Sequence, residues 1–170
     1  MEDKPKKSDV RKFAELFARY KVDFIVIGGQ AETLMGSPRV TYDVDLCYRR
    51  SKDNLERLAA ALKELKPTLR GAPPDLPVIL DARALGLGNN YTFETPLGKL
   101  DLLGWVEPIG GYDELLKTAE HYPVGELNLD VISLQDLLRV KEHICRAKDS
   151  ESLLQLLAIE RIRKEREKSA

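Results

Sequence analysis

Apolar residues at Val10, Phe13, Leu16 and Phe17 recur at the i, i+3, i+4 spacing of one helical face. With Ser8 just ahead of them as N-cap candidate, they predict an amphipathic helix ending near Tyr20. The continuous apolar stretch inside 23–27 predicts a buried strand closed by Gly28-Gly29, and 30–35 a short helix stopped by Gly36, Ser37 and Pro38. A second strand follows over 40–48, then a helix over 51–65 whose Leu55, Leu58, Ala59, Leu62 and Leu65 share one face. The segment 66–77 carries Gly71, Pro73 and Pro74 and is expected to be a loop, the candidate for disorder in the chain. Residues 90–95 and 99–103, joined by Pro96-Leu97-Gly98, predict a hairpin, and the weak alternation of its second arm suggests burial. A helix over 112–119, a short strand over 128–132, a helix starting at Ser133 and a last helix from Asp149 into a fraying charged tail complete the pattern.

This order predicts an α/β protein with a mixed β-sheet and helices packed mainly on one side. At 170 residues the chain suits one domain spanning 1–170, with 133–170 forming its C-terminal helices. Its 43% hydrophobic and 32% charged residues and net charge of -1 describe a folded protein rather than a disordered or membrane one and do not advertise nucleic-acid binding. Local basic runs remain at 4–12 and 139–148. Cys47 and Cys145 are far apart and have no zinc-like spacing to other Cys or His. No stretch has the length of a membrane span and no apolar signal core follows the lysine-rich start, so the expectation is a cytoplasmic protein with no membrane partner.

Asp43 and Asp45 change the picture. Side chains two apart on a strand share a face, and two adjacent carboxylates resist joint ionisation unless a cation sits with them. Gly28-Gly29, at a strand end before a helix, offers backbone N–H groups to phosphate. Asp101, on the hairpin's second arm, is the candidate third carboxylate. Arg39 and Thr41 alternate with the aspartates, so Arg39 can reach phosphate and Thr41 can orient a carboxylate; a surface Arg–Asp pair accounts for Arg39 almost as well. Lys141, Arg146 and Lys148 could contact a triphosphate or simply pair with Asp136 and Asp149. For each of these features a bland reading stands beside the chemical one: charged strand edges, an ordinary turn, a solvated helix face. His121 and His143 lack the partner pattern of a catalytic triad.

Taken together, Gly28-Gly29, Arg39-x-Thr41-x-Asp43-Val44-Asp45 and Gly98-Lys-Leu-Asp101 resemble the DNA polymerase beta-type nucleotidyltransferase superfamily. The stretch from Ile27 to Ala31 with Leu34 and Gly36, and Asp136 to Lys141 followed by Arg146-Ala-Lys-Asp149, resemble its small bacterial branch of AbiEii-like toxins. The resemblance implies a minimal nucleotidyltransferase fold, with Gly28 and Gly29 on the triphosphate and Asp43, Asp45 and Asp101 as catalytic carboxylates holding Mg2+, two ions in the family pattern, with Mn2+ as substitute. Lys141 and Lys148 match its basic helical positions. Cys145 departs from the pattern where related chains often carry glycine.

The function so implied is magnesium-dependent transfer of a nucleoside monophosphate from NTP to a hydroxyl on RNA, protein or a small molecule, with a toxin role and a cognate antitoxin as its narrower form. The competing expectation is a nucleotide-binding sensor or interaction module without catalysis.

Overall fold

Two stretches rich in β-branched and bulky apolar residues, Phe24–Ile27 (β1) and Asp43–Tyr48 (β2), pair antiparallel at the heart of the protein. The structure is a computed structural model that describes residues 8–73, 75–144 and 150–170. Around the central pair, Thr68–Leu69 (β3), Asn90–Thr95 (β4), Gly98–Leu103 (β5), Glu120–Val124 (β6) and Leu127–Val131 (β7) complete a sheet in the order β3-β4-β5-β2-β1-β7-β6. β2 runs parallel to β5 and β1 parallel to β7, while the other pairings are antiparallel. The sheet is therefore mixed, as expected.

Helices Val10–Arg19 (α1), Gly28–Leu34 (α2), Lys52–Leu65 (α3), Ala82–Leu87 (α4), Tyr112–Leu116 (α5), Leu134–Ile144 (α6) and Ser150–Ser169 (α7) pack on this sheet. The apolar stripe of α1 buries Phe13 and Phe17 completely, and that of α3 buries Leu58 and Leu62; removing such surface from water is the main driving force for folding. The strands sort their residues with a period of two. Val44, Leu46, Leu100 and Leu102 are fully buried in the core, while Asp43, Asp45, Asp101 and Leu103 between them are half-buried. The second hairpin arm thus alternates in burial although its sequence alternates little, because the face carrying Asp101 borders a cavity.

Several boundaries differ from the sequence-based expectation. β2 begins at Asp43 rather than Val40: its pairing with β1 ends at Ile27↔Asp45 and with β5 starts at Asp43↔Lys99, so residues 39–42 have no ladder partner. Arg39 and Thr41 consequently lie on a loop, not on the strand. The N-cap of α1 is Asp9, which accepts from the Arg11 N–H, while Ser8 is buried and donates to the Tyr42 carbonyl. The segment expected as a loop contains β3, paired with Glu94 and Phe93 of β4. β6 and α4 were not anticipated; β6 carries Pro123 on the sheet edge, where the missing N–H is tolerated. The charged tail expected to fray is helical to Ser169, supported by the i,i+4 pairs Lys164–Glu160 and Arg161–Glu165. Ser133 caps α6 as expected, accepting from the Asp136 N–H. Cys145, Arg146, Lys148 and Asp149 lie outside the described residues.

Candidate active site

The parallel pairing of β2 with β5 sets Asp45 opposite Asp101, and the antiparallel pairing of β4 with β5 sets Thr92 beyond it in the same row. Asp43 stands two residues earlier on the same face of β2. All three aspartates line one cavity of about 660 Å³. Burial, and then the Asp101 carboxylate beside it, push the Asp45 carboxyl up from 3.8 to about 7; Asp43 adds to the rise and Lys141 opposes it. Two carboxylates in a partly desolvated row hold charge poorly unless a cation joins them.

The Gly-Gly pair makes this row accessible. Gly28 takes φ +62°, and a Cβ there would stand 2.2 Å from Asp45 Oδ2; a Cβ on Gly29 would stand 2.7 Å from Thr41 Oγ1. Only bare backbone at both positions lets the start of α2 close on β2 and its approach loop. That loop is braced. Thr41 Oγ1 donates to the Asp43 carbonyl at 3.1 Å, and Gln30 Nε2 to the same carbonyl at 3.4 Å and to Ser8 O at 3.2 Å. Arg39 also lines the cavity and makes no ion pair among the described residues.

Lys141, reaching the cavity from α6, is placed by a residue that sequence reasoning missed. Its Nζ lies 3.0 Å from Glu32 Oε1, with the two side chains 14% and 4% exposed, and Ser152 Oγ of α7 donates to the same oxygen at 2.5 Å. The pairing expected with Asp136 is not formed by Lys141. Asp136 instead accepts from Thr118 Oγ1 at 2.6 Å and pairs with Arg139 at 3.3 Å. The only sequence signal for Glu32 was its place one turn after the glycines, in a helix whose Gln30 and Ala31 are also buried.

A second unanticipated residue, Arg70, places Nη2 3.1 Å from Asp101 Oδ1. The contact has ion-pair distance without hydrogen-bond alignment, so Asp101 Oδ1 is buried and lacks a hydrogen-bond partner. Trp105, which also lines the cavity and is 48% exposed, donates from Nε1 to Glu107 Oε1 at 2.9 Å. Among the described residues no three Asp, Glu, His or Cys side chains are grouped so as to hold a metal ion as they stand. The fit to a hard divalent cation is nonetheless good: an unpartnered Asp101 oxygen, a carboxylate row that resists ionisation, and donors that are all oxygen.

No protein family and no curated protein matches the sequence. Solved structures do match the fold. A lincosamide antibiotic adenylyltransferase, LnuA, with lincomycin bound, is 15% identical over 88% of this chain and 95% of its own, with a TM-score of 0.59. An antigenic nucleotidyltransferase-like protein from Paracoccidioides brasiliensis is 17% identical, covering 88% of this chain and 72% of its own, at TM-score 0.60. ANT(2")-Ia in complex with adenylyl-2"-tobramycin is 14% identical over 95% and 97% of the two chains, at TM-score 0.54. The chain has the nucleotidyltransferase fold. No helix among the described residues is long and apolar enough to cross a membrane.

Proposed function

We propose that this protein is a magnesium-dependent nucleotidyltransferase that moves a nucleoside monophosphate from NTP to an acceptor hydroxyl. The observation that carries the reading is the row Asp45–Asp101, with Asp43 beside it, opening on a cavity that Gly28-Gly29 also lines, with Gly28 directly against Asp45. Asp43, Asp45 and Asp101 would hold the divalent cation, which when bound neutralises the carboxylates and polarises phosphate oxygens. In the reaction a bond forms between the acceptor oxygen and the α-phosphorus, the bond from that phosphorus to the bridging oxygen breaks, and pyrophosphate leaves. Asp101 takes the hydroxyl proton. The N–H groups of Gly28 and Gly29, with Lys141, hold the departing phosphates; Arg39 is their partner from the loop, and Thr41 fixes the backbone that presents Asp43. Lys148 belongs to this reading through the sequence resemblance alone.

A small-molecule acceptor is favoured over RNA. The cavity lining also offers the Trp105 ring and the Glu107 carboxylate, a surface that repels a phosphate backbone and suits a hydroxyl compound with an apolar or cationic face. The fold neighbours that carry lincomycin and adenylyl-2"-tobramycin support the same choice. The toxin role, with its antitoxin, rests on the sequence resemblance, as does the cytoplasmic location; all 170 residues are taken as one functional domain. The second reading, a nucleotide-binding sensor, is supported by one observation, the Arg70 guanidinium already at Asp101.

The test is transfer of labelled phosphate from each α-labelled NTP, with Mg2+ or Mn2+, to amino sugars, neutral polyols, RNA and protein, comparing the native chain with Asp43→Ala plus Asp45→Ala. Label on a small molecule with the native chain only is the expected result. NTP binding without any product would leave the sensor.

A further inference from the structure

Arg70 stands one residue past the edge strand β3 and reaches across β4 to β5. Its backbone N–H donates to the Thr92 carbonyl at 2.9 Å, and its Nη2 donates to the Phe93 carbonyl at 3.2 Å. Both anchors are on β4. From there Nη2 lies 3.1 Å from Asp101 Oδ1, while Nε, 3.6 Å from Glu94 Oε1, has no hydrogen-bond partner. The side chains of Arg70 and Asp101 are 28% and 17% exposed.

This pairing is incomplete in a specific way. An arginine guanidinium forms strong bonds when its fork is aligned with a carboxylate. Here the fork is spent on a backbone carbonyl, and two buried polar atoms, Arg70 Nε and Asp101 Oδ1, stay without hydrogen bonds. A buried polar atom without a partner carries a desolvation cost. The contact supplies charge compensation without directed bonding, and a cation able to ligate that oxygen directly would replace it at little loss. Asp101 lines the cavity and Arg70 does not, so a cation entering there meets the carboxylate that Arg70 neutralises.

We propose that Arg70 is the standing counter-charge of Asp101, displaced when a divalent cation joins Asp43, Asp45 and Asp101. The inference rests on the metal-dependent reading above. Arg70 is a positioning residue that competes with the cation for one carboxylate and thereby sets the metal concentration at which the site fills. The Arg70 amide and side chain are both held on β4, and Gly71 follows with φ +80°, so release of the side chain removes one of the two anchors at the start of the segment after β3.

The experiment is Mn2+ titration of the full chain, reading free Mn2+ by electron paramagnetic resonance, for the native protein, Arg70→Gln and Arg70→Lys. Loss of the competing charge should tighten Mn2+ binding by about three- to ten-fold in Arg70→Gln, the scale of one partly exposed ion pair, with Arg70→Lys between it and the native chain. Without metal, Arg70→Gln should melt lower than the native chain, and the deficit should shrink in saturating Mn2+. Hydrogen exchange at the Arg70 amide of the native chain should speed up on Mn2+ addition. Unchanged or weaker Mn2+ binding in Arg70→Gln overturns the proposal while leaving the metal site in place. Should Arg70→Gln not fold, native-like affinity in Arg70→Lys together with an Arg70 amide indifferent to Mn2+ overturns it as well. A native chain that binds no Mn2+ at all overturns both this inference and the metal-dependent function.

Discussion

A Cβ placed on Gly28 would stand 2.2 Å from Oδ2 of Asp45, so the Gly28-Gly29 turn and the carboxylate that faces the cavity occupy mutually dependent positions. The contact joins two features that are separate in sequence. It also says why a glycine is needed: Gly28 combines φ +62° with an approach that no side chain tolerates.

Gly28→Ala should therefore strike the site harder than the fold. The positive φ alone costs on the order of 1–2 kcal/mol, readable as a lowered Tm. The displaced Asp45 should in addition reduce transfer by about a hundred-fold or more, the usual result of moving a catalytic group by roughly an ångström. Calorimetric NTP binding measured beside turnover checks the claim; native turnover would mean that Asp45 does not need this position.

Asp45 predicts an unusual pH dependence of stability. Its carboxyl is raised from 3.8 to about 7, by burial first and by Asp101 next, so between those values the folded state binds the proton more tightly than the unfolded one. Stability from this group is complete below about pH 4, falls as pH rises to about 7, and stays low above it. Asp45→Asn should flatten this slope and raise Tm at pH 8, by an amount equivalent to up to a few kcal/mol, although it removes activity. Thermal unfolding of both chains from pH 4 to 8 tests the sign: a native chain that gains stability relative to Asp45→Asn over this window would contradict it. Mg2+ should raise the native Tm most at the alkaline end, where Asp45 is ionised.

Legibility followed the range of the physical signal. The apolar periods of α1, α3 and the β4–β5 hairpin were readable because each is a local pattern with clear punctuation, such as Gly98 with φ +118° in the turn. The Asp43–Asp45 pair was readable because a period of two needs no tertiary information. Its alignment with Asp101 depends on strand register, which the sequence does not display. β3, with two residues, exists only through pairing with β4, and β6 reads as charged and proline-bearing because it is an edge. Glu32 and Arg70 were missed for one reason. A charged residue on a helix or after a short strand looks solvated until the fold brings Lys141, Ser152 or Asp101 to it.

The Glu32–Lys141 contact carries a prediction about stability as well as function. With the side chains 4% and 14% exposed and Ser152 donating to the same Glu32 oxygen, removing one partner breaks a largely buried ion pair. Glu32→Gln and Lys141→Met should each destabilise by roughly 2–4 kcal/mol, and the double variant by clearly less than their sum. Denaturant unfolding of the three variants measures the coupling. Additive losses would show that the two side chains act independently. Glu32→Gln should also weaken NTP binding, because Lys141 then loses the residue that holds its ammonium at the cavity.

Asp101→Asn separates binding from chemistry. The amide keeps the shape of the side chain and the row with Asp45, but it can no longer take a proton or offer a charged oxygen. NTP affinity should change by less than about three-fold, since Gly28, Gly29 and Lys141 are untouched, while turnover drops by about a hundred- to ten-thousand-fold, the range for loss of a general base. A second effect follows from the electrostatics. Asp101 is the next cause after burial of the raised Asp45 pKa, so its neutralisation should lower the Asp45 pKa and move the stability loss described above to lower pH. Turnover, NTP binding and the pH dependence of Tm on one variant therefore test the same pair from three sides. Native turnover would remove Asp101 from the mechanism, and an unmoved stability profile would deny that it acts on Asp45.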